Sequence, residues 1–297
     1  MGMAASAAQA ALPSAGTGRA TAVTTTTATL NGSVNPNNLP TIWHFQYGTT
    51  RAYGQQTPNQ GPTPAVKRNL AVAAPIAGLA PGTTYHYRLV AVNSSGTKLG
   101  GDHTFTTAAG ILLTARPPAV TFGRSVILAG QLFSGQPRGV RVTLLENPFP
   151  FAGLRAVATT TTDSLGHYSF ARTPTVNTQY AVSTGGRPAV QSAPRTVLVR
   201  IALSLGVSTS RPRHGQRVFF SGFASPAMNG RLVAIERLLA GVWRRVGRAR
   251  LFATGNPLLS RYRTGIVVNA GGRYRAHVGH DAGHAPGFSV ARLLRLR

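Results

Sequence analysis

The sequence contains no cysteine, which excludes disulfides, thiolate metal sites and cysteine nucleophiles and leaves the redox compartment open. Acidic residues are nearly as scarce: Asp102, Glu146, Asp163, Glu236 and Asp281 are the only five in 297 residues. Acid–base catalysis by paired carboxylates needs two acids side by side, and five scattered ones argue against it. Glu146 and Glu236 fall near corresponding strand ends, where pairing with neighbouring arginines is expected. No apolar run is long enough to cross a bilayer as a helix, so no membrane span is expected. A Gly-x-Ser-x-Gly elbow, a P-loop and a dinucleotide fingerprint are all missing. These absences together predict a chain that is not an enzyme and carries no cofactor.

What is present is enough to fold. Hydrophobic residues make up 42% of the chain, and its length suits two or three ordinary domains. Thr, Val, Gly and Pro are abundant while helical periodicity is rare, so the expected class is all-β. From 20 to 107, short alternating runs recur with a turn signal every 8 to 12 residues, the pattern of a β-sandwich. In TYHYRLVAV, 84 to 92, alternation places Tyr85, Tyr87, Leu89 and Ala91 on the core side and His86, Arg88 and Val90 on the other. The tyrosines are thus read as buried rather than catalytic.

Leu79-Ala80-Pro81-Gly82-Thr83-Thr84-Tyr85, with NGSVNPN at 31–37, FQYGTT at 45–50 and NSSGT at 93–97, resembles the fibronectin type III family in the form found in secreted proteins of Gram-positive bacteria. The resemblance covers 20–107 and implies a tyrosine corner. There Leu79, Pro81, Gly82 and Tyr85 are structural residues, the Tyr85 hydroxyl bonding to backbone upstream. It also implies a secreted or cell-surface location. Leu30 stands where many members carry tryptophan, and no Arg-Gly-Asp triplet occurs, so integrin-like recognition has no support. Residues 1–19 read as an Ala-rich tail or as an export-signal remnant, in which Ala8-Gln9-Ala10 has the form of a cleavage site.

After residue 107 the pattern restarts and then repeats. FGRSVILAGQL answers HGQRVFFSGFA, with Gly123, Val126 and Gly130 aligned to Gly215, Val218 and Gly222. Gly139, Val142 and Leu144 match Gly230, Val233 and Ile235, and Tyr168 and Tyr180 match Tyr262 and Tyr274. Residues 108–199 and 200–297 resemble bacterial Ig-like repeats. The expectation is three tandem β-sandwich modules, a fibronectin type III sandwich followed by two Ig-like ones.

Charge is one-sided, +26 overall, and all basic residues but Lys67 and Lys98 are arginine. The segment 200–297 alone holds 17 arginines against two acids. Arg244, Arg245, Arg248, Arg250, Arg261, Arg263, Arg273 and Arg275 lie along candidate strands, the last four flanking Tyr262 and Tyr274. If those tyrosines point inward, the flanking guanidinium groups face solvent. Such a surface suits an anionic cell-wall polymer or acidic polysaccharide, with non-specific nucleic-acid binding also allowed; the plain alternative is a solvated face set by composition. His277, His280 and His284 with Asp281 supply potential metal ligands, but Gly279 and Gly283 make the segment a polar hairpin loop, and no metal site is expected. Trp43 and Trp243 are candidate platforms for sugar rings, but each lies in an alternating strand run, where a core position is expected. The functional expectation is a monomeric, non-catalytic structural or adhesive protein. A second reading is an accessory carbohydrate-binding region of a secreted polysaccharide-active enzyme.

Overall fold

The computed structural model describes residues 11–186 and 189–297. Across them the chain is all-β, with no helix among the described residues, and its strands form six sheets that pair into three sandwiches. In the first, β1 (Ser14–Thr17), β2 (Thr27–Asn35) and β5 (Leu70–Ala77) make one sheet. The other is built on β6 (Thr84–Asn93), with β3 (Ile42–Gly48), β4 (Gln55–Gln56), β7 (Gly96–Leu99) and β8 (His103–Thr106).

Tyr85, Tyr87, Leu89 and Ala91 are all buried, as alternation requires. Tyr85 accepts a hydrogen bond from the Ala80 N–H, 2.9 Å away, and stacks on Phe105. Leu79 is buried beneath this corner and Gly82 turns it at a φ of 59°. One expectation needs correcting: the sandwich begins inside the segment read as a tail. β1 pairs antiparallel with β2, and the Tyr87 hydroxyl donates to the Gly18 carbonyl at 2.6 Å. Ala8-Gln9-Ala10 lies outside the described residues.

The middle sandwich sets β14 (His167–Arg172), β11 (Val126–Phe133) and β9 (Gly110–Arg116) against a five-stranded sheet. That sheet runs β10 (Ala119–Thr121), β16 (Arg195–Arg200), β15 (Thr178–Thr184), β12 (Arg141–Pro148) and β13 (Arg155–Thr161). Because β13 and β14 belong to different sheets, TTTTDSLGHYSF at 159–170 crosses the sandwich and is no hairpin. In the third sandwich, β19 (Gln216–Ser225) and β23 (Ser260–Val268) carry the short edge strands β17 (Ala202–Leu203), β18 (Gly206–Val207) and β22 (Phe252–Ala253). Facing them are β21 (Val242–Arg250), β20 (Leu232–Leu239) and β24 (Gly272–Val278), edged by β25 (Gly287–Phe288) and β26 (Arg292–Leu294). By internal contacts the chain divides into two compact units. One holds the first sandwich with residues 132–139 and 162–166, the other the rest of the middle sandwich and the whole third.

The internal repeat has a physical basis. Gly123 and Gly215, and Gly139 and Gly230, all turn at positive φ, where a Cβ is strained. Val126, Val218, Val142, Val233, Leu144 and Ile235 are the buried members of matching strands. Gly222 lies opposite Tyr262 in the β19–β23 register, and the Tyr262 hydroxyl reaches past it to donate to the Ser204 carbonyl at 2.6 Å. Gly130 and Tyr168 repeat this, the hydroxyl donating to the Leu112 carbonyl. A Cβ on either glycine would run into that edge carbonyl and into the tyrosine, the Tyr168 hydroxyl at Gly130 and the Tyr262 ring at Gly222. Burial pushes both phenols well above the ordinary tyrosine range, keeping the donor proton in place.

This arrangement predicts unequal costs for two glycine substitutions in the third sandwich. Gly222→Ala should cost about 3 kcal/mol or more, because backbone must move. Gly230→Ala, which meets nothing within 4 Å but keeps a φ of 84°, should cost about 1–2 kcal/mol. Urea denaturation of the two variants checks the order.

Candidate functional site

The third sandwich sorts its arginines between two opposite surfaces. In the β21–β20–β24 sheet, Val233, Ile235, Ala249, Tyr274, Ala276 and Val278 are buried, which sends the alternate residues outward. A β-bulge between Ile235 and Glu236 sets Arg245 opposite Glu236 and Arg248 opposite Ala234. The bulge inserts Val246 and resets the alternation, so Arg245 and Arg248 share the outer face although three residues apart. Arg250, opposite Leu232, joins them, and so does Arg273 by its parity with Arg275. All four are exposed. A shallow cavity of about 470 Å³ lies beside Arg245 and Arg248, lined also by Leu232, Ala234, Gly279, Glu236 and His277.

The remaining candidates differ in place or availability. Arg275 is half-buried: its Nε donates to Glu236 at 2.7 Å, and its guanidinium lies 4.3 Å from the Trp243 ring centroid and 4.4 Å from that of Phe288. Glu236 also meets His277 Nδ1 at 3.1 Å, while the His277 ring stacks on Phe288. Arg275 is therefore held in a cation–π stack with its charge already answered. Arg244 pairs in register with Arg237 and takes the inner-face parity. Arg261 and Arg263 lie on β23, in the opposite sheet. The eight arginines do not form one patch, because Tyr262, between Arg261 and Arg263, and Tyr274, between Arg273 and Arg275, point into the core from opposite sheets.

Trp43 is buried in the first core as expected, but Trp243 is not in a core. Register places it opposite Leu238, on the outer face with Glu236, half-exposed under Arg275. Sequence reading missed Phe288 and the bulge, and its favoured core placement of Trp243 is corrected to the outer face. The run Arg244-Arg245-Val246-Gly247-Arg248 carried a signal for the bulge, since Gly inside a strand pattern often marks one.

The histidine segment is a hairpin loop between β24 and β25, as expected, but its histidines do not converge. Among the described residues no group of three or more His, Cys, Asp or Glu could hold a metal ion. His277 faces Glu236 and Phe288 on the outer face. His284 turns to the middle sandwich, with Nε2 2.9 Å from the Thr175 carbonyl and Nδ1 2.9 Å from Asp281. The Asn177 N–H donates to the Gly283 carbonyl, the Ala285 N–H to Val199, and the Ile201 N–H to Ala285. The loop therefore docks the third sandwich on the middle one, where only Ile201 separates β16 from β17. Burial works against the charged Asp281 carboxylate, yet bonds from His284 and the Gly283 and His284 N–H groups outweigh it and hold it below the ordinary aspartate range.

Every acidic residue with a described ion pair is bound to a cation. Glu146 meets Arg172 at 3.0 Å, Asp102 meets Arg51 and His86, and Asp281 also faces Arg231 at 3.7 Å. The expected Arg pairing of Glu146 and Glu236 is present, on opposite faces of their sheets. Among the described residues, no carboxylate pairs with Arg245, Arg248, Arg250 or Arg273.

No protein-family model and no curated protein matches the chain. Among solved structures it aligns with red sea bream transglutaminase at 10% identity and a TM-score of 0.36, over 63% of this chain and 31% of that one. A likeness of that size carries no argument about fold or activity. The matched protein is nonetheless an enzyme, and the expectation that this chain is not one is withdrawn. No helix among the described residues is long and apolar enough to cross a membrane.

The Asp281 lock has a pH signature. Its folded-state pKa is depressed, so its stabilisation is complete above the unfolded value of about 3.9 and is lost as pH falls through the folded value. Asp281→Asn is expected to lose about 1 kcal/mol at neutral pH and to converge with the parent under strong acid. Calorimetry of both proteins along a pH series checks this.

Proposed function

We propose that this chain is an extracellular or cell-surface structural and adhesive protein that binds an anionic polymer through the outer β21–β20–β24 face of its third sandwich. The observation that carries the reading is the grouping of Arg245, Arg248, Arg250 and Arg273 on one exposed face, with the face's acid, Glu236, already committed to Arg275 and His277. Guanidinium groups on one sheet face, three along β21 and Arg273 on β24 with β20 between them, can take carboxylate or sulfate groups bidentately. The bond between the Ala80 N–H and Tyr85 supports reading the first sandwich as fibronectin type III-like. The shared glycine and tyrosine positions support reading the other two as Ig-like repeats. Those resemblances in turn support the extracellular placement.

Trp243 on the same face favours acidic polysaccharide among anionic polymers, since an indole beside guanidinium groups suits a sugar ring that bears a carboxylate. This observation also supports the second reading, an accessory carbohydrate-binding region of a polysaccharide-active enzyme. Loss of binding at high salt in Trp243→Ala alone would favour that reading over pure charge attraction.

Affinity built from such contacts falls with salt. For an acidic polysaccharide, the slope of log affinity against log salt should drop by roughly one for each arginine removed in Arg245→Gln and Arg248→Gln. Removing equal charge from the first sandwich with Lys67→Gln and Arg68→Gln should leave the slope unchanged. Equal slopes for all variants would reduce the charge to a compositional field.

A further inference from the structure

The opposite sheet of the third sandwich carries a second surface with different chemistry. On β19 and β23 the core positions are filled by Val218, Phe220, Ala224, Tyr262 and Val268, so Phe219, Ser221, Phe223, Arg261 and Arg263 face outward. Register puts Phe223 opposite Arg261, and Arg261 opposite Phe252. The result is one row across three strands in which a guanidinium lies between two phenylalanines. Those rings are half in water, Phe223 51% and Phe252 56% exposed. In the next row Ser221 faces Arg263, whose guanidinium sits 4.4 Å from the centre of the Phe219 ring.

The edge of this sheet is broken between β17 and β18, at Ser204 and Leu205, beside the side-chain gap at Gly222. The break opens a groove of about 690 Å³, within the range of small-molecule sites. At its end Arg292 is fixed by donation from Nε to the Leu205 carbonyl at 3.0 Å. Three arginines line the groove and no carboxylate does. Solvated aromatic rings favour an apolar cover, while uncompensated guanidinium groups favour an anion. A purely apolar molecule would leave the guanidinium groups beneath it short of solvent, and a small inorganic anion would leave the rings wet.

We propose that this groove binds a small amphipathic anion, an acyl carboxylate whose headgroup meets Arg261 and whose chain lies along Phe223 and Phe252. The site is independent of the polymer-binding face, which lies on the other sheet. Titration calorimetry of the full chain with decanoate, decanol and acetate, all below micelle-forming concentrations, tests it. Saturable one-to-one binding of decanoate is expected, with decanol and acetate each roughly tenfold weaker or more. Phe252→Ser and Arg261→Gln should each weaken decanoate roughly tenfold, with unchanged circular dichroism, and Lys67→Gln should not. Equal binding of decanol and decanoate would overturn the proposal, as would groove variants that bind like the parent. Self-association of the chain that disappears in Phe252→Ser would also overturn it, making a second copy the occupant.

Discussion

The hydrogen bond from the Tyr262 hydroxyl to the Ser204 carbonyl, made across the missing side chain of Gly222, is the constraint on which the third sandwich turns. It ties the edge segment between β17 and β18 to the sheet, beside the bond from the Ser204 N–H to the Phe223 carbonyl, and it holds Tyr262 inward. With Tyr262 inward, β-strand alternation leaves Arg261 and Arg263 no place but solvent. The same device at Gly130, Tyr168 and Leu112 explains why the middle sandwich shares the spacing without sharing the charge. What repeats along the chain is the clamp and the core, whereas the outward positions vary freely between copies.

Scarcity of acid shapes the surface as much as abundance of arginine. Glu236 is spent inside a stack of Arg275, His277, Trp243 and Phe288, and Asp281 at the joint with the middle sandwich. Partial burial strengthens such pairs by lowering the local dielectric. It also removes the groups that could have neutralised neighbouring arginines. Exposed guanidinium groups within a Debye length of one another then repel, and an anion laid across them relieves that repulsion. Cation–π stacking answers the same excess differently, by setting Arg263 on Phe219 and Arg275 between two rings.

Much of this fold was legible in the sequence, because alternation and glycine positions are local signals. The inward set of Tyr85, Tyr87, Leu89 and Ala91 and the burial of Tyr262 and Tyr274 follow from period-two patterning, whereas the Tyr85 bond to upstream backbone is what the family resemblance implies. The candidate site was legible only in part. Patterning tells which side of its own sheet a residue takes, but not which of two sheets its strand joins. Hence Arg261 and Arg263 were grouped with arginines that lie across the core from them. Strict alternation along β21 puts Trp243 inward with Ala249, and the one-residue bulge turns it outward. His284 offered metal-ligand chemistry in sequence, yet its partner is a backbone carbonyl more than a hundred residues away, a contact made only by docking of two sandwiches. Strand β1 carries no such local signal, since SAGT has little hydrophobic content and pairs at a sheet edge.

The central claim is that one face of the third sandwich, defined by the bulge in β21, takes up an anionic polymer. Arginine-selective covalent footprinting of the full chain, with and without an acidic polysaccharide at physiological salt, tests it most directly. The account predicts that the polymer protects Arg245, Arg248 and Arg250 and leaves Arg261 and Arg263 as reactive as in the free protein. Uniform protection of exposed arginines across all three sandwiches, or protection centred on β23, would contradict it.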